Sequence, residues 1–308
     1  MIAVAGHTTV DLRVRPVPRD LQWLGLTTVD VVSLHSGGLV ANAGSVIANF
    51  GVPVMTLGCI GDDELGAILG DRVRSWATDA RLHVVEGVPT SSTIVLVHPS
   101  GERTFLHCHG ASDDFGTEDV PIATLVDVGV RALHLGYALL LRRLDGARLR
   151  SLLTEASGAG LLTSLDVTHG PEMRWEELVP ALPLVDVFCP SLAEATAITG
   201  LPDRRAAARR LLEMGVRQFV AVTDGNRGCS AATREGWEQD VPPSPVEAVD
   251  TTGAGDAFAA AILVSWYRGL DWPQAARVAS WVGARAATTI DAVRALPGWE
   301  EAVSASIG

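Results

Sequence analysis

Nine consecutive residues late in the chain combine small side chains with carboxylates at a spacing suited to phosphoryl chemistry: Asp250-Thr251-Thr252-Gly253-Ala254-Gly255-Asp256-Ala257-Phe258. The small-residue turn runs into an apolar helical stretch, Ala257 to Leu263. The first N–H groups of a helix have no intrahelical acceptor, so such a turn is an anion site. Gly253 and Gly255 let an anion approach the backbone and permit positive φ. A carboxylate beside a bound phosphate is repelled by it unless the chemistry requires a base there. Attack of a hydroxyl on a phosphoryl group does require one, the carboxylate taking the hydroxyl proton. Gly-Ala-Gly with an acid in the first helical turn also occurs as plain capping; the flanking Asp-Thr-Thr favours the chemical reading.

A second polar cluster lies near the N-terminus. In Gly6-His7-Thr8-Thr9-Val10-Asp11 an acid follows closely on a first strand, Ile2–Ala5. Open α/β sheets bind ligands beyond the carboxyl ends of their strands, where Asp11 could accept hydrogen bonds from two vicinal hydroxyls. Gly37 and Gly38 leave the backbone bare for a ring, and Asn42 carries both a donor and an acceptor, which suits hydroxyls that do both. Alone, Asp11 also reads as a turn residue and Asn42 as a helix-start residue.

The composition narrows the mechanism. All 24 basic residues are arginine. Without lysine there is no Walker A loop, no protein-kinase strand lysine and no Schiff base. Phosphate must therefore be handled by backbone N–H groups, a metal ion and arginine. A net charge of −12 argues against a nucleic-acid partner. No apolar run approaches the ~20 residues that span a bilayer, and Met1–Gly6 has no basic n-region or cleavage site, so a cytoplasmic protein with no membrane partner is expected. Cys59, Cys108, Cys189 and Cys229 form no Cys-x-x-Cys pair and read as small buried hydrophobes of a reducing compartment.

These clusters need a scaffold. Apolar runs at Ile2–Ala5, Val54–Cys59, Ala132–Leu135, Leu161–Asp166, Val185–Cys189 and Phe219–Thr223 read as strands. Between them lie helical patterns at Ala41–Phe50, Glu64–Thr78, Asp145–Ser157, Trp175–Leu182, Leu192–Thr199 and Asp203–Met214. Continuously apolar strands alternating with helices predict a mostly parallel, doubly wound α/β sheet. Short hairpin strands follow at Cys229–Ala232 and Trp237–Val241, then helices at Ala254–Arg268 and Trp272–Thr289. Residues 12–36 and 90–110 break the rhythm. The second stretch is a hairpin, Thr93–His98 and Thr104–His109 about a turn at 99–102; together the two predict a small antiparallel sheet outside the main layer. The 308 residues are read as one α/β domain carrying these inserts.

With these motifs in order, the chain resembles the ribokinase-like (PfkB) carbohydrate kinases from Gly6 to about Pro297. Asp250–Asp256 is similar to the C-terminal signature of that family, and Gly37-Gly38-Leu39-Val40-Ala41-Asn42 to its Gly-Gly-x-x-x-Asn signature. The resemblance implies a three-layer α/β/α sandwich with a small β lid. It also implies that Asp11, Gly37, Gly38 and Asn42 hold a sugar. Pro190-Ser191-Leu192-Ala193-Glu194 resembles the family's Pro-Asn-x-x-Glu segment, which places Mg²⁺ and phosphates through water; Ser191 stands where Asn is usual. Thr223, Gly225 and Gly228 fall in a turn that lines the nucleotide site in the family, and Ser280 falls near the adenine.

The expected activity is ATP-dependent phosphorylation of a primary hydroxyl on a sugar or polyol. Asp256 is the expected base, the N–H groups of Gly253, Ala254, Gly255 and Asp256 the anion hole, and Glu194 a water-mediated Mg²⁺ ligand. Asp250 is a candidate for a monovalent cation such as K⁺, and His109, on the second hairpin strand, for contact with the substrate. The lid's exposed strand edges predict a homodimer. Asp62, Asp63 and Glu64 read as helix caps, and His107 with His109 lacks a third metal ligand. Other readings are a nucleoside kinase of the same fold, a phosphosugar kinase using Arg13, Arg15 and Arg103, and a catalytically silent sugar-binding regulator. A Rossmann dehydrogenase ranks last, since no Gly-x-Gly-x-x-Gly follows the first strand.

Overall fold

Strands that are apolar on both faces must be covered on both sides, and alternate residues of the first strand show how this is met. In the structure, a computed structural model describing residues 1–21, 23–100, 102–144, 146–168, 173–288 and 295–307, Ile2 and Val4 of β1 (Ile2–Gly6) pack into one buried cluster and Ala3 and Ala5 into another. The strands that continue this sheet are β4 (Val54–Gly61), β5 (Asp79–Val85), β8 (Ala132–Gly136), β9 (Leu162–Asp166), β10 (Val187–Phe188), β11 (Phe219–Thr223), β12 (Cys229–Thr233) and β13 (Glu238–Val241), in the order β13-β12-β11-β10-β9-β8-β1-β4-β5. Pairing is parallel from β5 to β11 and antiparallel from β11 to β13.

One face of the sheet is covered by α1 (Gly38–Asn49), α8 (Ala254–Tyr267), α9 (Trp272–Arg285) and α10 (Trp299–Ile307). The other is covered by α3 (Ile122–Asp127), α4 (Gly146–Gly158), α5 (Trp175–Leu178), α6 (Leu192–Thr199) and α7 (Arg204–Glu213). α2 (Glu64–Arg74) packs with lid residue Val10 in a smaller cluster. This is the expected α/β/α sandwich. No described helix is long and apolar enough to cross a membrane.

Four more strands form the lid: β2 (Thr9–Arg15), β3 (Val31–Gly37), β6 (Ser92–Val97) and β7 (Arg103–Cys108), ordered β3-β2-β6-β7. The outer pairings are antiparallel, and β2 runs parallel to β6. Asp11 stands opposite both His35 and Thr93, and Thr93 opposite His107. Residues in register share a face, so His35, Asp11, Thr93 and His107 form one row across all four strands.

Where the elements depart from expectation, the reasons are local. β5 carries charged residues and is largely half-exposed, so it lacks the apolar signal of the interior strands. The helix expected to reach Leu182 is α helical only to Leu178 and continues as a 3₁₀ turn, Val179–Leu184, because Pro180 and Pro183 cannot donate to an α ladder. Asp145, Thr289 and Gly101, expected at a helix start, a helix end and a turn, lie outside the described residues. Asp63 caps α2 as expected, accepting from the Gly66 N–H at 2.8 Å. Cys108, expected buried, is exposed on β7, whereas Cys59 and Cys229 are buried.

α1 begins where β3 ends, and Gly38 makes the joint at φ +77. A Cβ there would lie 2.5 Å from the His7 carbonyl oxygen. Gly87 has a similar φ of +70 with nothing within 4 Å of a Cβ. Gly87→Ala should therefore cost only the backbone penalty of about 1 kcal/mol, and Gly38→Ala clearly more, because α1 must shift. Urea denaturation of the two variants reads the difference; equal midpoints would mean the joint is not tightly packed.

Candidate active site

Asp256 sits in the first turn of α8, 4% exposed. Its carboxylate accepts from Asn42 Nδ2 at 2.7 Å and from the Tyr137 hydroxyl at 3.0 and 3.1 Å. Asn42 comes from α1, so the two sequence signatures, 214 residues apart, meet in one hydrogen bond. Tyr137 follows β8 in a left-handed conformation, φ 57. A non-glycine residue pays for that backbone, and in return its hydroxyl reaches the base. Sequence reasoning missed Tyr137, since no motif marks it. Burial raises the Asp256 carboxyl above its usual range, while the bonds from Asn42 and Tyr137 pull it back down. Burial first, then the Asp256 charge, pushes the Tyr137 hydroxyl up, so it remains a donor.

Asp166, at the end of β9, shares a hydrogen bond with Asp256. Its carboxyl is raised well above the ordinary range, first by burial, then by the charges of Asp256 and Glu194. Asp166 thus feels the charge of two other carboxylates. Its place at a strand end was the one sequence signal available. Glu194 and Ser191 form a reciprocal cap on α6: Glu194 Oε2 accepts from the Ser191 N–H at 2.7 Å, and Ser191 Oγ from the Glu194 N–H at 3.3 Å. The Ser191 hydroxyl is therefore committed to the helix, and Glu194 is the member facing Asp166.

The lid supplies the facing wall. Asp11 is 8% exposed, and a Cβ on Gly37 would lie 2.3 Å from its Oδ2; Gly37 makes room for this carboxylate. Burial pushes the Asp11 carboxyl up to about 6, against the pull of Arg13, a hydrogen bond from Thr93, and His35. His107 Nδ1 lies 3.0 Å from Thr93 Oγ1. His109 stands at the end of an aromatic series, its ring 4.9 Å from His107, whose ring is 5.4 Å from His7, itself 5.6 Å from Tyr137. His109 thus joins the wall through His107, with its Nδ1 3.4 Å from Asp113 Oδ1.

Arg13 of β2 and Arg103 of β7 reach across the cleft to Asp250. Arg13 pairs with Oδ2, and Arg103 donates to Oδ1 at 2.8 Å, to Thr252 Oγ1 at 2.6 Å and to Thr251 Oγ1 at 2.7 Å. Both Asp250 oxygens thus accept from a guanidinium, so a monovalent cation at this side chain would share it with Arg13 and Arg103. The anion hole is narrower than expected. The Ala254 N–H bonds the Thr251 carbonyl at 3.2 Å, which leaves those of Gly253, Gly255 and Asp256.

Gly255 has open space where a side chain would be and faces a cavity of about 520 Å³, into which Thr223, Gly225, Gly228 and Ser280 also project. Ser280 lines it with its hydroxyl already donated to the Pro242 carbonyl at 3.0 Å. Ser191 is not a wall of this cavity but is bridged to Thr223 beside it. Thr251, Ala254 and Gly255 line the cavity, whereas none of the lid row His35, Asp11, Thr93 and His107 does.

A buried carboxylate at a helix N-terminus, with a cavity opening on the same turn and a polar lid bonded to it, suits a ribokinase-like phosphotransferase. The sequence model described as pfkB family carbohydrate kinase matches residues 1–298, and the chain belongs to that family; it is an ATP-dependent carbohydrate kinase. It is 29% identical to the ATP-dependent ribose-1-phosphate kinase of Halopiger xanaduensis, over 94% of this chain and 96% of the relative. Among solved structures, it superposes with a TM-score of 0.83 on an E. coli protein described as ribokinase II in complex with ATP and Mg²⁺, at 24% identity over 98% and 97% of the two chains. Arabidopsis thaliana ribokinase complexed with ribose and ATP gives 0.81 at 20% identity, over 100% and 98%.

The raised carboxyl of Asp11 has a stability consequence. Its folded pKa, about 6, exceeds the ordinary 3.8, so the folded protein holds the proton more tightly. Its ionised form costs stability above about pH 6, and the cost vanishes below about pH 4. Asp11→Asn should raise stability at pH 8 by up to roughly 2–3 kcal/mol and not at pH 4. Thermal denaturation at the two pH values checks this; a lower midpoint at pH 8 would contradict it.

Proposed function

We propose that the protein transfers the γ-phosphoryl group of ATP to a primary hydroxyl of a sugar or sugar-like polyol, with Asp256 as general base. One observation carries this reading: the Asp256 carboxylate, fixed by Asn42 and Tyr137, directly follows Gly255, which lines the cavity, and its charge acts on Asp11 of the lid. The cavity side would take ATP, its terminal phosphate on the N–H groups of Gly253, Gly255 and Asp256. The lid side would hold the acceptor, with Asp11 and Asn42 on its hydroxyls.

As the hydroxyl oxygen attacks phosphorus, Asp256 accepts its proton, and a carboxyl raised by burial is a better base than an exposed one. Oriented N–H donors meet the charge developing on the transferring group; removal of one such donor typically costs ~10²–10³ in rate. Thr223, Gly225 and Gly228 border the nucleotide, and Ser280 the far end of its cavity. The negative charges of Glu194 and Asp256 acting on Asp166 would attract a divalent cation. Asp166 and Glu194 would hold Mg²⁺ directly or through water. When bound, Mg²⁺ would neutralise charge on the phosphates. Arg13 and Arg103 tie the lid to the Asp250–Thr252 turn and so keep water from the transferring group.

A second reading is a sugar-phosphate acceptor. Arg13, Arg15 and Arg103 line one cavity of about 400 Å³ beside Asp250, and the name of the Halopiger relative specifies ribose 1-phosphate. Steady-state comparison of ribose, ribose 1-phosphate, fructose and inosine separates these readings from a nucleoside kinase.

Asp256→Asn should lower kcat by about 10²–10⁴-fold while ATP and acceptor still bind. Calorimetric binding alongside a coupled ADP-release assay measures both, and near-normal turnover would remove Asp256 from its role. We also propose a homodimer through the lid, supported by the exposure of Trp23, Leu24 and Leu26 at 94%, 108% and 97% and by exposed Phe105 and Leu106 on β7. Sedimentation equilibrium should give a dimer for this chain and a monomer for Trp23→Glu/Leu26→Glu; a monomeric parent protein would overturn it.

A further inference from the structure

His7 has a side chain that nothing in the protein satisfies. It is 4% exposed, and both ring nitrogens are buried without a hydrogen-bond partner. A buried polar atom left unpaired costs about 1–3 kcal/mol, so two in one ring call for a reason. The backbone pins the residue: its N–H donates to the Gly136 carbonyl at 3.4 Å, and its carbonyl accepts from the Val40 N–H at 3.3 Å. The ring stands between Tyr137, which holds the base, and His107 on the lid. Gly38 makes room for the ring, since a Cβ there would lie 2.9 Å from Nδ1.

The lid row decides what His107 offers beside it. Thr93 hydrogen-bonds the Asp11 carboxylate, an acceptor only, so the Thr93 hydroxyl proton points to Asp11. Thr93 Oγ1 must then accept from His107, 3.0 Å away, which puts the His107 proton on Nδ1 and leaves Nε2 a bare acceptor. His7 is neutral near pH 7: burial, then His107 and His109, depress it to about 3. It therefore presents one N–H and one lone pair. Asp11, His107 and His7 together offer mainly acceptors with a single donor. Hydroxyl groups, each donor and acceptor, match that set. The oxygens of a phosphate or carboxylate placed here would face lone pairs.

We infer that His7 is a specificity-determining residue that reads adjacent hydroxyls of a polyhydroxylated acceptor, with His107 Nε2 accepting from a further hydroxyl. The assignment rests on the reading of this cleft as the acceptor site. It also implies that an acceptor's charged or aromatic substituent, where present, lies elsewhere than against this wall.

The test uses D-ribose, 2-deoxy-D-ribose and D-fructose as probes. Each is titrated calorimetrically into the full-length protein and into His7→Phe and His7→Asn, with KM and kcat measured for every sugar that turns over. Phe keeps a flat ring between Tyr137 and His107 and removes both polar atoms. His7→Phe should weaken binding of the preferred sugar about tenfold or more, one hydrogen bond being worth about 1–1.5 kcal/mol. The KM for ATP should stay within about twofold, and the thermal midpoint should not fall, because the unpaired nitrogens are gone. His7→Asn, which keeps a donor and an acceptor, should recover part of the affinity. Unchanged sugar affinity in His7→Phe, or equal losses for sugar and ATP, would overturn the assignment. If the unsubstituted protein phosphorylates a sugar that His7→Phe binds as well, the His7 assignment alone fails. If the unsubstituted protein binds none of the three, it falls together with the reading of the cleft.

Discussion

A carboxylate buried where a helix begins is the constraint on which the rest of the site depends. Asp256 needs its neighbours because burial disfavours its charge. Asn42 and Tyr137 supply the compensating donors from α1 and from the turn after β8. Those elements reach the start of α8 only because β1 lies between β8 and β4, with α1 and α8 packed on the same face of the sheet. The sheet order, the left-handed backbone at Tyr137 and the bare glycines at 37 and 38 all serve to set that one carboxylate.

The lid completes the site by two separate devices. Arg13 and Arg103 fasten it to the Asp250–Thr252 turn through charge-assisted bonds. Its register lays His35, Asp11, Thr93 and His107 in a row facing the cleft. The first device fixes where the lid stands relative to the anion hole. The second fixes the pattern of hydrogen bonding an acceptor meets. With no lysine in the chain, arginine braces the turn that leads into α8.

Much of this was legible in the sequence, for reasons that differ by residue. The alternation of apolar strands with helices is a local signal, and it yielded the sandwich; the Thr93–His98 and Thr104–His109 hairpin lies within one residue of the observed strands. Asp256, Asn42, Asp11, Gly37 and Gly38 stand in short motifs with a mechanical meaning, and they do meet. Tyr137, His7 and Asp166 carry no such mark, because their importance comes from long-range contacts that a linear pattern does not contain. The pairing of Asp250 was hidden for the same reason: its partners, Arg13 and Arg103, lie 237 and 147 residues away. Ser191 departs from a motif, yet Ser-x-x-Glu is itself a capping signature, and its hydroxyl completes that local cap.

The central claim is that a desolvated Asp256 is the base for hydroxyl attack. The pH dependence of kcat at saturating ATP and acceptor tests it most directly, since kcat reports ionisations in the bound complex. The account predicts an acid limb, rising with pH, whose midpoint lies above the ordinary carboxylate value of 3.8. A rate that stays flat down to that value, or that falls as pH rises through the same range, would contradict it.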